Sequence, residues 1–449
     1  MLPSMLDIMA ERFAHAGQKI ALATDHSAFT YDELQQSIQA WEDRLASEDI
    51  SAGKVVLLRG DFTPGGIGAL FALMRAGAIT ILLSPSSFEK QQEFAKVGEA
   101  QMCVDAIDGT ITPQQYNGEH PLYKELIARG EPGIVLFSSG STGVSKGTVH
   151  SAAKLLEKFR AGGKDFRTLA FLLFDHIAGL DTLFYSLANE STLVLPKSRT
   201  PEDVCRLISE QRVEVLPTSP SFLNLLLLSG AHKRHDLNSL KIITYGSEMM
   251  SEATLERCSA AFPDVRLIQK YGASETGALP TQSRSNTSTW LKLGGEGFEW
   301  RVRDGLFEIR AKTAMLGYLN APSPFTDDGF FMTGDRVEID GEYVRFLGRD
   351  CDIINVGGQK VFPAEVENLL QQVPGVKEAA VYGEPHAILG SAVIAKIHPT
   401  SNEPKAELRK RIRAALSGKL EGYKIPQKFV FTEEALTTER FKVIRRTSS

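Results

Sequence analysis

The sequence predicts an α/β protein: a large N-terminal domain of βα units on parallel sheets, closed by a small β-rich region, then a small α+β C-terminal domain. Three observations carry this. Near-continuous apolar runs recur at 55–58, 79–83, 134–137, 169–173, 193–195, 213–216 and 242–245, as expected of strands buried on both faces of a parallel sheet. After about Trp290 the pattern changes to short alternating segments, punctuated by Asp-Gly pairs at 304–305, 328–329 and 340–341. Such pairs mark tight antiparallel turns. From Arg349 onward, about 100 residues of mixed helix and strand pattern follow, enough for a separate domain. The boundary is therefore expected between residues 1–348 and 349–449.

The elements follow in order. The opening MLPSMLDIMAERF is an amphipathic helix pattern broken by Asp7, Glu11 and Arg12; it lacks the basic start and unbroken apolar stretch of a signal peptide. Segments 201–211 and 251–262 have the length of crossover helices. The leucines at 225–228 fall far short of the ~18 apolar residues a membrane span needs, and read as a buried helix. In the last hundred residues, Pro363 opens a helix, strands are expected at 379–382 and 392–397, and Leu408, Ile412, Ala415 and Leu416 share one helical face. Internal repeats and low-complexity segments are absent from the sequence.

Composition narrows the function classes. The chain has 449 residues, 43% apolar and 23% charged, with a net charge of −5, which is ordinary for a globular protein. Without a basic block, neither nucleic acid nor an anionic membrane surface is expected as partner. The nine histidines do not cluster at metal-ligand spacing, and Cys103, Cys205, Cys258 and Cys351 lie far apart with no CxxC. That usage suits reduced thiols in a cytoplasmic protein.

The strongest motif is FSSGSTGVSKG, from Phe137 to Gly147, directly after an apolar run. Its glycines permit tight turns that aim backbone amides at an anion. The hydroxyls of Ser138, Ser139, Ser141 and Thr142 add donors, and Lys146 adds a cation for a polyphosphate. The spacing of Gly140, Gly143 and Lys146 does not fit a Walker A loop, and a flexible linker would not ordinarily sit behind a buried strand.

This loop resembles the signature of the adenylate-forming superfamily, which includes acyl-CoA synthetases, amino-acid adenylation domains and firefly-type luciferases. The resemblance covers almost the whole chain; FTYDEL at 29–34 and RAGA at 75–78 are similar to the family's early motifs. It implies activation of a carboxylic acid by ATP and Mg²⁺ as its acyl-AMP, with release of pyrophosphate. Transfer to a pantetheine thiol, from CoA or a phosphopantetheinyl carrier protein, would follow, with the small C-terminal domain mobile between the two steps.

Further residues follow from matched motifs. Tyr271, Gly272, Ser274 and Glu275 in YGASETG resemble the YGxTE motif, with serine where threonine is usual: tyrosine faces adenine and Glu275 holds Mg²⁺. Gly246, Ser247 and Glu248 occupy the place of the loop bordering nucleotide and acyl pocket. Asp335 of Thr333-Gly334-Asp335 and Arg349 of the following Gly348-Arg349 pair resemble the ribose-binding pair, and Cys351 stands where the pivot is usually Lys or Asp. Lys442 matches the catalytic lysine, with Phe441 where glycine is usual. By themselves these segments also read as turns, caps and a solvated basic tail.

Two segments keep alternatives open. In FDHIAG, the register on His176 resembles acyl-CoA synthetases, where the histidine flanks the carboxylate; the register on Asp175 resembles amino-acid adenylation enzymes. The pocket is expected to involve Asp175, His176, Ser219, Gly246 and Gly272. Gly357 and Gly358 resemble the pantetheine-tunnel loop, and equally fit a hairpin turn. The departures at Cys351 and Phe441 leave a degenerate nucleotide-binding protein as a further alternative.

Overall fold

The computed structural model describes residues 3–139, 145–400 and 403–437. Two seven-stranded sheets dominate the large N-terminal part. The first runs Arg266–Gln269, Ile242–Tyr245, Val215–Thr218, Thr168–Leu169, Leu193–Val194, Ile20–Ala23 and Ala28–Thr30, parallel except for the final hairpin. The second runs Gly317–Tyr318, Ser145–Ser151, Gly133–Ser139, Ile79–Leu83, Val55–Arg59, Met102–Asp105 and Ile111–Pro113, with four parallel central strands and antiparallel flanks.

The strand Val55–Arg59 shows why an unbroken apolar run belongs here. Val56 and Leu58 face the core between the two sheets, while Val55 and Leu57 face helices on the outer side. Helices Tyr31–Ser47, Pro64–Arg75 and Ile177–Ala188 fill the space between the sheets. Pro64–Arg75 is apolar on all sides, and its glycines permit close approach. A Cβ on Gly66 would meet the Asp61 carbonyl oxygen at 2.2 Å, and one on Gly68 the Ser37 hydroxyl at 2.5 Å. Helices Pro201–Gln211, Pro220–Ser229 and Glu252–Ala261 cover the outer face of the first sheet, giving alternating helix and sheet layers.

Expectation and structure differ in places. The 169–173 run is a strand only at Thr168–Leu169; beyond it the Phe171 carbonyl accepts from Arg199 Nε at 2.6 Å, which takes the backbone out of the ladder. The hairpin Ile20–Ala23 with Ala28–Thr30 was not foreseen, because those strands are too short to show a period. The amphipathic N-terminal segment forms helix Met5–Ala16, started by a Ser4–Asp7 capping box.

A six-stranded antiparallel sheet begins with Thr281–Ser283, just before Trp290, and continues after it with Leu291–Leu293, Phe298–Arg303, Leu306–Ala311, Phe331–Asp340 and Tyr343–Arg349. Its first Asp-Gly pair turns between strands with Asp304 at φ 53° and Gly305 at φ 76°, the left-handed values such turns require. The small C-terminal domain has a five-stranded sheet with its own core. Helices Pro363–Leu370 and Lys405–Leu416 bury Val366, Leu370, Leu408, Ile412 and Leu416 in it. Among the described residues no helix is long and apolar enough to cross a membrane.

Candidate active site

A cleft of about 780 Å³ lies at the carboxyl ends of the parallel strands Val215–Thr218, Ile242–Tyr245 and Arg266–Gln269. This end of an open parallel sheet is where ligands bind in α/β folds, because the loops leaving the strands diverge there. The antiparallel region contributes Thr333 and Asp335, and helix Pro363–Leu370 contributes Pro363, Ala364 and Glu367 from the C-terminal domain.

Backbone approach shapes the floor. A Cβ on Gly246 would meet the Lys270 carbonyl oxygen at 2.7 Å, and one on Gly272 the Gly277 carbonyl oxygen at 2.6 Å, so larger residues would push the loops apart. Ser247, also in the cleft, holds φ 69°, a left-handed conformation that is uncommon for a non-glycine residue and concentrated at functional sites.

One wall is a polar network around Tyr271. Its ring stacks on Phe346 with centroids 4.1 Å apart and meets Phe307 edge-on. Its hydroxyl donates to Asp335 Oδ2 at 2.6 Å, while Arg349 Nε lies 3.6 Å from Asp335 Oδ1. Burial raises the Asp335 carboxyl above its usual range, and Arg349 and Tyr271 oppose that shift. The carboxylate is thus partly desolvated and held in one orientation.

A second network joins Glu275, Tyr318 and Lys146. The Tyr318 phenol donates to Glu275 Oε1 at 2.5 Å, and Lys146 Nζ stands 5.3 Å from the Tyr318 ring centroid, within cation–π range. Burial first, and the Glu275 charge second, hold the phenol protonated. Lys146 leaves the serine-rich loop on the strand Ser145–Ser151, which pairs antiparallel with Gly133–Ser139 so that Ser138 opposes Lys146 and Ser139 opposes Ser145. The loop's exit is fastened: the Ser145 amide donates to Glu93 Oε1 at 3.0 Å, and Asn320 accepts from the Gly147 amide and donates to the Ser145 carbonyl.

The other expected residues divide. Ser138, His176, Gly246, Ser247, Glu248, Gly272 and Ser274 line the cleft with Tyr271, Glu275, Asp335 and Arg349. His176 also caps helix Ile177–Ala188, its Nδ1 accepting from the Ala178 amide at 3.4 Å. Glu248 Oε2 accepts from the Ser221 amide and hydroxyl, at 3.1 and 2.6 Å, and so caps a helix start. Ser219 is buried and caps the same helix through the Phe222 amide.

Asp175 is buried outside the cleft lining, accepting from the Ser87 hydroxyl at 2.8 Å, so it braces the inter-sheet contact. Gly357 and Gly358 form the exposed turn between Ile354–Val356 and Gln359–Val361, with φ 57° and 85°, and do not line the cleft. Gly140, Ser141, Thr142, Gly143 and Lys442 lie outside the described residues. Sequence reasoning missed Tyr318, Asn320 and Glu93. They sit in segments remote from the motifs, and only the pairing of Gly317–Tyr318 with Ser145–Ser151 brings the first two there.

Residues 9–294 match the family described as AMP-binding enzyme, and residues 365–442 match the AMP-binding enzyme C-terminal domain. The chain belongs to the AMP-binding enzyme family. Among curated relatives, a 2-succinylbenzoate–CoA ligase of Listeria monocytogenes serotype 4b (strain F2365) is 26% identical over 98% of both chains. An indoleacetate–CoA ligase of Aromatoleum aromaticum (strain DSM 19018 / LMG 30748 / EbN1) is 25% identical over 96% of this chain and 95% of its own. The anthranilate CoA ligase AuaEII in complex with anthranoyl-AMP superposes with TM-score 0.83 at 22% identity, over 99% of this chain and 96% of that one. ATP-bound MatB from Rhodopseudomonas palustris gives 0.78 at 23%, over 98% and 97%. The chain is accordingly an AMP-forming acid–thiol ligase, activating a carboxylic acid with ATP to the acyl adenylate and passing the acyl group to a thiol.

Proposed function

We propose that the cleft itself carries out adenylation of a small carboxylic acid, with roles assigned as follows. The acid's carboxylate oxygen attacks the α-phosphorus of ATP; the new acyl–O–P bond forms as the α–β bridging bond breaks, and pyrophosphate leaves with that electron pair. Asp335, oriented by Tyr271 and Arg349, receives the ribose hydroxyls. Tyr271 offers its aromatic face to adenine. Lys146 and the Ser138–Ser139 end of the serine-rich loop, with Gly140, Ser141, Thr142 and Gly143, take the phosphates. His176 stands at the acid's carboxylate, and Lys442 is assigned to the reacting oxygens. No protein nucleophile is needed: the protein positions the reactants and neutralises charge.

Glu275 is the residue that would hold Mg²⁺, with the Ser274 hydroxyl beside it. Among the described residues no cluster of three His, Cys, Asp or Glu side chains could hold a metal. One carboxylate suits a cation that would otherwise be held by water and substrate phosphates; when bound, the ion would supply charge neutralisation on the phosphates.

Thioester formation is assigned to a rotation of the C-terminal domain about the segment at Asp350, Cys351 and Asp352, which brings Gly357 and Gly358 to the cleft to admit a pantetheine arm from CoA or a carrier protein. Four free cysteines, three of them buried, support a cytoplasmic setting. The burial of Asp175 away from the cleft weighs against its holding a substrate ammonium, and so against amino-acid adenylation.

The observation that carries this reading is that Tyr271, Asp335, Arg349 and Glu275 line one cleft from elements far apart in sequence, with Tyr318 and Lys146 joined to it behind Glu275. The test is ATP–pyrophosphate exchange over a panel of aliphatic, aromatic and amino acids, with Lys442→Ala alongside. Exchange with one class of acid, strongly reduced in the variant, supports the assignment. ATP binding without exchange for any acid overturns this assignment of roles to the cleft residues.

A further inference from the structure

One charged side chain in the cleft has no part in the adenylation chemistry above. Lys270 directly follows the strand Arg266–Gln269; Leu267 and Gln269 are buried, Ile268 is half-buried and Lys270 is exposed, and the last three residues, Ile268 to Lys270, line the cleft. Lys270 adjoins Gly246: a Cβ built on that glycine would stand 3.4 Å from the lysine Cβ. The exposed Lys270 side chain lies on the cleft lining, and the protein around the cleft displaces enough water to lower the ammonium's affinity for a proton.

The charges around it do not balance. Asp181 on helix Ile177–Ala188 and Lys158 are the charged groups whose fields reach Lys270. Asp181 is already engaged by Lys158 in a direct ion pair, and Lys158 also approaches the Ala278 carbonyl oxygen at 3.5 Å. Among the described residues Lys270 makes no side-chain hydrogen bond or ion pair. Asp181, which lines the cleft, is thus paired by Lys158 and leaves Lys270 without a carboxylate in contact. The same cleft is lined by apolar groups such as Ile177, Ala178 and Ile268, and by Thr182. An acid with an apolar tail would press it against Lys270, stripping water from a cation and returning no hydrogen bond. An acid with a second carboxylate would supply the missing partner through a charge-assisted bond.

We propose that Lys270 is the specificity-determining cation of the acyl pocket and that the preferred substrate is a dicarboxylic acid, activated at the carboxylate remote from Lys270. This rests on the adenylation reading, and it names the substrate class.

The test uses matched pairs: butyrate with glutarate, heptanoate with suberate, and benzoate with isophthalate. Exchange is measured for the wild type, Lys270→Met and Lys270→Arg. The expected result is a higher kcat/KM for one dicarboxylate than for its monocarboxylate partner. Lys270→Met should lower that preference on the order of 10- to 100-fold, chiefly through KM, with ATP binding by calorimetry unchanged; Lys270→Arg should keep most of it. Equal use of both members of every pair, or an equal loss for both in Lys270→Met, overturns the proposal. If the wild type exchanges with no acid, the adenylation reading is what fails. Direct calorimetric titration of the three dicarboxylates then decides on Lys270: binding lost in Lys270→Met supports its role, and no binding overturns it.

Discussion

The Tyr271 hydroxyl donates a 2.6 Å hydrogen bond to Asp335, a residue 64 positions later in the chain, while the Tyr271 ring lies flat on Phe346. The stack fixes the ring and the bond fixes the carboxylate, so one side chain shapes both the flat and the polar part of a nucleotide site. Tyr271→Phe keeps the stack and removes the donor. We expect the KM for ATP to rise about 10-fold, the value of one hydrogen bond to a charged group, with the KM for the acid little changed. Steady-state exchange kinetics check this; equal effects on both KM values would mean that the loop had collapsed.

Asp335 should carry a stability cost of its own. Its folded pKa is raised by burial, so the folded state favours the protonated form. That contribution to stability is complete below the unfolded carboxyl value and is lost as pH rises through the folded one. At neutral pH the ionised group is therefore held against its preference. Asp335→Asn is expected to raise Tm at pH 7 while abolishing ATP-dependent exchange, with the Tm advantage shrinking as pH falls towards 4. Thermal melts at the two pH values measure it; a lower Tm at pH 7 would show that the Arg349 contact outweighs desolvation.

His150 acts in the opposite sense. It is fully buried on the strand Ser145–Ser151, close to the backbone of Ser274 and Thr313, and burial lowers its pKa from 6.5 to about 4. The unfolded chain takes up this proton first, so the stability contribution is present above pH 6.5 and is lost as pH falls through 4. The expected loss between pH 7.5 and 4.5 is roughly 2–3 kcal/mol from this one group. Urea unfolding of the wild type against His150→Gln isolates it: the variant's stability should fall less steeply over that window. Parallel curves would assign the acid sensitivity elsewhere.

How much of this was legible in the sequence follows from what each signal depends on. The doubly buried strand Val55–Arg59 was readable because both of its faces are apolar, and the Asp304 turn because its backbone needs left-handed angles. The motif residues Tyr271, Glu275, Asp335 and Arg349 were readable as types, but their contacts are tertiary. Asp175 shows the limit: its dipeptide with His176 fits two registers, and only the fold reveals that one side chain meets Ser87 while its neighbour lines the cleft. Lys270 was passed over because one lysine before a motif carries no period or spacing. Its meaning comes from Asp181 being already paired with Lys158.

Tyr318 offers a way to separate metal handling from nucleotide handling. Its phenol orients Glu275 through a 2.5 Å hydrogen bond, while its ring face meets Lys146. Tyr318→Phe removes the first contact and keeps the second. Loss of a hydrogen bond that orients a metal-binding carboxylate ordinarily weakens metal affinity about 10-fold or more. We therefore expect the Mg²⁺ concentration for half-maximal exchange to rise by about that factor, and the KM for ATP at saturating Mg²⁺ to stay within about 2-fold because the cation–π contact survives. A Mg²⁺ titration at fixed ATP, repeated for ATP at high Mg²⁺, reads the two effects separately. If the Mg²⁺ midpoint does not move, Glu275 is oriented by something other than Tyr318, and its assignment as the metal-holding carboxylate loses its structural support.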